Sequence, residues 1–311
     1  MSDPYSVGVV GARGHTGAEL LRLLANHPSV EVAFAASRSL AGQPVPGISG
    51  LTLSPPDPET VAGLDLDVVF LALPDGVGGP YTEALDPGTV VVDISADHRF
   101  DDDWVYGLPE LNRDKIAGAR RIANPGCYAT VMQLALAPFL HRLDGVPAVF
   151  GVSGYSGAGT TPSPRNNPER LTDNLMPYKL VGHNHEREAT RFLGRPVRFM
   201  PHVHPAFRGL LVTAHIPVDS PMTADEARTV LAGRYIDEPL VEVIGGIPEL
   251  RDGAGLTGVI LGGVRVSDDG RNVVVVGVED NLLKGAAVQA LQNLNLALGL
   301  PELAGTTDTA V

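Results

Sequence analysis

Tyr5-Ser6-Val7-Gly8-Val9-Val10-Gly11-Ala12-Arg13-Gly14-His15-Thr16-Gly17 decides how the first part of this chain folds. Tyr5–Val10 is a short apolar run rich in β-formers, and residues 16–26 carry Leu20, Leu21, Leu23 and Leu24 at helical spacing. Between them lies a G-x-x-G-x-x-G turn. Glycines let the chain turn tightly and bring backbone N–H groups up to a pyrophosphate, whose charge then rests on the helix N-terminus. Spare glycines alone make an ordinary turn. A strand before and a helix after make a dinucleotide cradle, with Gly11, Arg13, Gly14, His15, Thr16 and Gly17 as candidate cofactor contacts.

Outward from this unit, Val30–Ala36 and residues 66–73 and 90–94 read as further strands separated by helical stretches. That alternation predicts an α/β, doubly wound parallel sheet of Rossmann type. The Pro-rich stretch 42–58 reads as surface loop. After about residue 145 the texture changes to strands with fewer helices: 149–152, 197–203, Leu210–Pro217, 240–244, Val259–Val266 and 273–278. This predicts a second domain of α+β type. Residues 282–300 read as one long amphipathic helix and 301–311 as a mobile tail. The expected division is 1–126 with 282–311 as the nucleotide domain, and 127–281 as the catalytic and oligomerisation domain.

The end of the second strand bears on which dinucleotide binds. NAD-binding sites commonly place Asp or Glu there to hold the ribose 2′-OH. Here the sequence reads Ala36-Ser37-Arg38-Ser39, and the nearest acid, Glu31, lies at the other end of the strand. Arg38 with the hydroxyls of Ser37 and Ser39 suits a 2′-phosphate, so NADP is the expected cofactor. The competing reading of Arg38 is an exposed loop arginine.

One cysteine is present, in Asn124-Pro125-Gly126-Cys127-Tyr128-Ala129-Thr130, ahead of an apolar helix expected over 131–140. Pro125-Gly126 breaks the preceding strand, so Cys127 falls at or near the helix N-terminus. There the unpaired N–H groups favour a thiolate and can hold an oxyanion formed on a carbonyl the sulfur attacks. By residue type alone a lone cysteine is more often a small buried hydrophobe; its placement argues for a nucleophile. Four of the nine histidines form two H-x-H pairs, His183-Asn184-His185 and His202-Val203-His204. No acidic ligand joins them at a recognised metal spacing, so no metal is expected. One of these imidazoles serves better as an acid–base beside Cys127.

Composition sets the outer limits. The chain has 311 residues, is 44% hydrophobic and carries a formal net charge of -13. No apolar run reaches the ~18–20 residues of a membrane span. The N-terminus shows no export signal, and a single cysteine fits a reducing compartment, so a cytoplasmic protein is expected. The acidic balance argues against a nucleic-acid surface but not against a locally positive pocket for an anionic small molecule.

With these residues in hand, the chain closely resembles the N-acetyl-gamma-glutamyl-phosphate reductase family of arginine biosynthesis. The likeness runs almost end to end. It includes the glycine-run opening from Gly11 to Leu24, Ala72-Leu73-Pro74 with Gly76, Asp93-Ile94-Ser95-Ala96-Asp97 with Arg99, and Tyr106-Gly107-Leu108-Pro109-Glu110. The most specific match is Asn124–Thr130 to the N-P-G-C-Y-x-T nucleophile motif. Ser153-Gly154 to Gly159, His183 to Glu188, Phe199 to Leu211 and Asn281-Leu282-Leu283-Lys284-Gly285-Ala286-Ala287 continue it. Departures occur at Thr160, where many members carry Arg, at Arg187, which replaces a proline, and at His204-Pro205.

The resemblance implies a Rossmann-type NADP domain completed by the C-terminal helix. It implies a catalytic domain like that of glyceraldehyde-3-phosphate and aspartate-semialdehyde dehydrogenases, a homo-oligomer (dimer or tetramer), and an acyl phosphate as substrate. It also implies roles: Cys127 as nucleophile and His185, with His183 second, as acid–base. Leu73, Pro74 and Asn281 would lie on the cofactor, and Asn124, Ser153, Gly154 and Arg208 on the substrate. For Asn281 an N-cap of the last helix is an equal reading, and for Arg208 an exposed strand-end arginine. The rival readings are a related reductase acting on an N-blocked aminoadipyl phosphate or on aspartyl phosphate, a nucleotide-binding regulator without catalysis, and a metal hydrolase.

Overall fold

The computed structural model describes residues 3–306. The chain forms two compact units, one from residues 1–126 and 286–311 and the other from 127–285.

Unit 1 is built on six parallel strands: β1 (Tyr5–Val10), β2 (Val30–Ala36), β3 (Val68–Leu71), β4 (Val90–Asp93), β5 (Val105–Tyr106) and β6 (Arg121–Ala123), in the order β2-β1-β3-β4-β6-β5. β3 and β4 are buried along their whole length, which is why they read as unbroken apolar runs, whereas edge strand β2 alternates at its start. The order reverses at β1, so the loops leaving β1 and β2 run to opposite sides of that strand, and the glycine turn lies at this switch point. The helix His15–Leu24 buries Leu20, Leu21, Leu23 and Leu24.

The expected 16–26 helix thus ends two residues early, and 66–73 shortens to β3. Within 42–58 the chain is pinned by two isolated bridges, Pro44 to Thr52 and Ala36 to Ser54.

The C-terminal segment corrects the sequence reading twice. Residues 282–300 are not one amphipathic helix. A π-helical turn, Leu283–Ala287, leads into the helix Val288–Leu298, which is buried on nearly every side, Gln289, Gln292, Asn293 and Asn295 included. These amides face inward because they carry hydrogen bonds: Asn293 Nδ2 donates to Gly107 O and to Asn124 Oδ1, both at 2.9 Å. Of the expected tail, residues 301–306 are turns packed on the unit, with Thr306 buried and Glu302 paired to Arg113 at 2.9 Å; residues 307–311 lie outside the described residues.

Unit 2 carries a seven-stranded mixed sheet: β7 (Ala148–Gly154), β8 (Met176–Pro177), β9 (Arg198–His204), β10 (Leu210–Pro217), β11 (Val241–Val243), β12 (Val259–Val266) and β13 (Asn272–Glu279), ordered β11-β12-β13-β10-β7-β9-β8. The helix Cys127–Leu136 packs on β10 and β13 and is buried from Tyr128 onward. A Cβ on Gly277 would stand 2.7 Å from Val131 Cγ2, so the close approach of helix to sheet requires glycine there. This helix starts at Cys127, earlier than the expected 131–140, and continues as a 3₁₀ segment, Ala137–Arg142. The opposite sheet face is more open, with Phe150 exposed and Val152, Met200, His202, Leu211, Thr213 and Val274 half-buried.

His27 fastens the end of unit 1. Its Nδ1 accepts the Ser29 N–H at 3.1 Å, so Nε2 carries the proton and donates to Asn295 Oδ1 at 2.9 Å. Asn295 Nδ2 in turn holds Glu302 O and Ala304 O, each at 2.9 Å. Burial, partly opposed by the Asn295 bond, lowers the His27 pKa. A lowered folded-state pKa means that the unfolded chain takes the proton first, so stability falls as pH drops below about 6.5. The melting temperature is expected to fall between about pH 7.5 and about pH 5.5, and His27→Gln should flatten that dependence. An identical slope in thermal melts of the two proteins would show that His27 is not the titrating latch.

Candidate active site

Two constellations form, one in each unit. In unit 1 the glycine turn follows β1, and three side-chain-free positions make it possible. Gly11 has φ 95°, and a Cβ there would stand 2.1 Å from Ala72 O in the loop after β3. A Cβ on Gly17 would meet Gly11 O at 2.4 Å, and one on Gly14 the same oxygen at 3.4 Å. The turn therefore packs backbone on backbone ahead of the helix His15–Leu24, the arrangement in which backbone N–H groups can cradle a pyrophosphate. His15, half-buried, has its pKa lowered by burial first and by the Arg13 charge second. Arg13 Nη1 donates to Ser39 Oγ at 2.7 Å, while Ser37 is buried and Arg38 exposed just beyond β2. These residues fit a dinucleotide.

Leu73 and Pro74 lie in the loop after β3 that touches this turn. Asp97 fixes that loop, accepting the N–H of Gly76 at 2.6 Å and of Gly78 at 3.2 Å, and Asp75 answers by accepting the Ala96 N–H at 2.9 Å. Asp97 stands in the Asp93–Asp97 motif, and only the loop it meets in the fold reveals this task.

In unit 2, half-buried Cys127 is the first residue of its helix. That helix packs against the helix Asn184–Leu193, whose N-cap is His183. His183 Nδ1 accepts the His185 N–H at 3.1 Å, and the two rings stand 4.7 Å apart. His183 is buried, boxed by Tyr178 at 5.5 Å and Phe199 at 5.4 Å, whereas His185 is half-buried with Tyr128 at 5.9 Å. Glu186 locks this helix start, accepting the N–H of Gly182 at 3.1 Å and of Phe199 at 2.9 Å.

Burial raises the Tyr178 pKa, the Cys127 charge adds to the rise, and Arg165, stacked 5.0 Å over the ring, opposes it. Cys127, Tyr178, His183 and His185 are thus one cluster. A Cβ on Gly285 would lie 2.7 Å from both Cys127 Cβ and Glu279 Oε1, so Gly285 leaves room for the Cys127 and Glu279 side chains. That requirement is tertiary and has no signal in the sequence beyond the motif match.

A second group lies beside it in unit 2. Gly154 packs against the 206–208 backbone, where a Cβ would meet Phe207 O at 2.6 Å, and buried Ser153 donates to Gly154 O at 3.1 Å. Arg208 Nε faces the buried Asp280 Oδ2 at 3.4 Å. Asp280 also accepts the N–H of Leu282, Leu283 and Gly255. Asp280, not Asn281, therefore caps the turn that starts the C-terminal segment.

Asn281 belongs to unit 2. Its Oδ1 accepts the Gly209 N–H at 3.0 Å and its Nδ2 donates to Ser156 Oγ at 2.8 Å. Asn124, read as a substrate contact, is wholly buried in unit 1, with its amide on Asn293, Ala286 O and Pro125 O. The second histidine pair sits on β9, with His202 against Phe150 at 4.3 Å and His204 Nδ1 accepting the Ala206 N–H. Among the described residues no group of three His, Cys, Asp or Glu side chains is arranged to hold a metal, and no helix is long and apolar enough to cross a membrane.

Comparison with known proteins follows the same division. Residues 6–119 match the semialdehyde dehydrogenase NAD binding domain, and residues 127–281 the semialdehyde dehydrogenase dimerisation domain. N-acetyl-gamma-glutamyl-phosphate reductase of Xanthomonas axonopodis pv. citri is 53% identical over 309 residues, 97% of this chain and 98% of its own. The reductase of Xylella fastidiosa is 52% identical over 307 residues, 96% of this chain and 94% of its own.

Among solved structures, aspartate semialdehyde dehydrogenase II of Vibrio cholerae, complexed with ASA, superposes with a TM-score of 0.78 at 22% identity, covering 96% of this chain and 99% of that one. Aspartate semialdehyde dehydrogenase of Candida albicans with NADP gives 0.74 at 19% identity, covering 97% and 99%. At these identities the structures speak for the fold alone, a nucleotide-binding parallel-sheet domain plus a mixed-sheet domain. Two successive family matches and relatives aligned end to end make this chain a member of the semialdehyde dehydrogenase family, in its N-acetyl-gamma-glutamyl-phosphate reductase branch.

Proposed function

We propose that this chain reduces N-acetyl-gamma-glutamyl phosphate to N-acetylglutamate 5-semialdehyde and phosphate with NADPH, in arginine biosynthesis. The observation that carries the reading is Cys127 as the opening residue of a buried helix, clustered with Tyr178 and a capped histidine pair. Close relatives named for this activity support it.

Cys127 Sγ, as thiolate, adds to the acyl carbonyl, and the tetrahedral adduct collapses with loss of inorganic phosphate to leave a thioester. The helix N–H groups behind Cys127 favour negative charge on the sulfur and on the carbonyl oxygen. The glycine turn of unit 1 would hold NADPH, which would supply the hydride that the thioester carbon takes up. His185 holds a proton for the carbonyl oxygen and takes it back as the C–S bond breaks, so the aldehyde leaves and the thiolate is restored. His183 caps the helix through Nδ1 and fixes the His185 ring, a positioning task. Arg208, oriented through Nε by Asp280, holds an anionic group of the substrate, and Ser153 and Gly154 shape the wall beside it. Gly11, Gly14, Thr16 and Gly17 hold the pyrophosphate, and Arg38 with Ser37 serves the 2′-phosphate.

A homo-oligomer, dimer or tetramer, is supported by the match to a dimerisation domain and by the apolar residues on the open sheet face.

The discriminating assay is phosphate-dependent NADP reduction with N-acetylglutamate semialdehyde against aspartate and N-blocked aminoadipate semialdehydes. Faster turnover with either alternative would overturn the substrate. Cys127→Ser should keep NADPH binding and lose essentially all turnover, because a hydroxyl ionises far less than a thiol at neutral pH; substantial residual rate would rule out the thioester route. His185→Asn should cut the maximal rate by about 10²–10⁴-fold, with His183→Asn milder, and only the former should remove the imidazole limb of the pH–rate profile. Exchanged behaviour would exchange the roles. Arg38→Ala should weaken NADPH more than NADH by a lost charge-assisted contact of roughly 1.5–3 kcal/mol, and equal losses would make Arg38 structural.

A further inference from the structure

Glu279 ends β13 as a carboxylate with no exposed surface. Side chains on a strand alternate between faces, so Glu279 shares a face with Gly277, two residues back. That face is turned to the helix Cys127–Leu136, because a Cβ on Gly277 would stand 2.7 Å from Val131 Cγ2. Val131 is one helical turn past Cys127, and two residues of strand cover a similar length, ~6.8 Å against ~5.4 Å. Gly285 fixes the direction of that step. A Cβ there would lie 2.7 Å from Cys127 Cβ and 2.7 Å from Glu279 Oε1, so the root of the nucleophile and the carboxylate border the same methyl-sized space. These residues all belong to unit 2.

The titratable groups around the pair come from several elements. Tyr128 follows Cys127 on its helix, and Tyr178 stands just after β8. Burial raises both phenol pKa values and the Cys127 charge adds to each rise, so both rings are neutral near neutral pH. His183 and His185 are carried at the start of the helix Asn184–Leu193. Beyond Glu279, Asp280 is engaged by Arg208 and three backbone N–H groups, and Lys284 lies wholly buried in the turn that follows. Arg251 and Asp252, on the short helix whose Gly253 meets the Glu279 backbone, are exposed. An ordinary carboxyl ionises well before an ordinary thiol, so the first proton lost from the pair comes from Glu279. Two fields then meet at the sulfur. The helix N–H groups favour a negative charge there, and the Glu279 carboxylate opposes it.

We infer that Glu279 is a positioning residue for the reaction, a fixed negative charge that holds Cys127 as a thiol at rest and keeps its thiolate strongly nucleophilic. The inference rests on the reading of Cys127 as the nucleophile. A thiolate stabilised too far by its surroundings attacks more slowly, because nucleophilicity falls as the basicity of the sulfur falls. Glu279 limits how far the helix N-terminus can carry that stabilisation. A neutral side chain of the same shape would release more thiolate, but a weaker one.

Alkylation by iodoacetamide reads this without any turnover, since Cys127 is the one cysteine of the chain. The rate is followed against pH in the full chain and in Glu279→Gln. In the variant the rise with pH should move to lower pH, with about tenfold or more thiolate at neutral pH. Its plateau at high pH should fall, by about threefold for each tenfold gain in thiolate. Glu279→Asp, which keeps the charge, should stay closer to the wild type on both counts. A merely structural role would loosen the site and speed alkylation at every pH without moving the rise. That outcome, or a rise moved to higher pH, would overturn the inference. Should Glu279→Gln lose its cooperative melt, Glu279→Ala removes the same charge and carries the same expectation. Turnover that survives complete alkylation of Cys127 would overturn the nucleophile reading instead, whatever the variants show.

Discussion

The side chain of Asn124 holds both ends of the excursion the chain makes out of unit 1. The chain leaves that unit at Gly126 and re-enters it at Ala286. Asn124 Nδ2 donates to Ala286 O at 3.3 Å, its Oδ1 accepts from Asn293, its N–H donates to Asp93 O at 2.7 Å, and its carbonyl accepts Arg99 Nε at 2.8 Å. An asparagine with no exposed surface is tolerable only with all these bonds made, since a buried polar group left unpaired costs about 1–3 kcal/mol. The requirement spreads outward. It turns Asn293 inward on the last helix and removes the side chain from position 107, where a Cβ would stand 2.3 Å from Asn293 Nδ2. It also buries Arg99, whose second nitrogen is taken by Ile94 O at 2.9 Å.

What the sequence made legible follows from where polarity and periodicity agree. Tyr5–Val10, Val30–Ala36, Leu210–Pro217 and Val259–Val266 stand where their apolar patterns put them, because each is a sheet strand with covered side chains. The last helix misled for the opposite reason. Gln289, Gln292, Asn293 and Asn295 imitate a wet face at helical spacing, and only tertiary partners such as Gly107 O, Glu302 and His27 reveal that they are inside. Two-residue strands such as Val105–Tyr106 and Met176–Pro177 are too short to carry any period.

The candidate site divides in the same way. The glycine turn and the strand-break before Cys127 are local chemistry, and both could be read from neighbouring residues. The Arg208–Asp280 contact joins residues far apart in the chain, and the work of Gly285 is visible only as a missing Cβ beside Cys127. His183 lies between these cases. An H-x-H pair announces two imidazoles, but that the first accepts the backbone N–H of the second depends on a helix starting between them.

A chain of net charge -13 proposed to handle a phosphorylated cofactor and a phosphorylated substrate must make its positive charge local. The structure does so by bracing individual guanidinium groups. Arg13 is held on a hydroxyl and Arg208 on a buried carboxylate that already accepts three backbone N–H groups. Those N–H bonds help to hold the Asp280 charge in place beside the guanidinium. A surface lysine would lose rotamer freedom on meeting the same anion, whereas a side chain already fixed at one nitrogen has less left to lose. Binding an anion against an unfavourable overall charge therefore depends less on how many cations the chain carries than on how few of them are free to move.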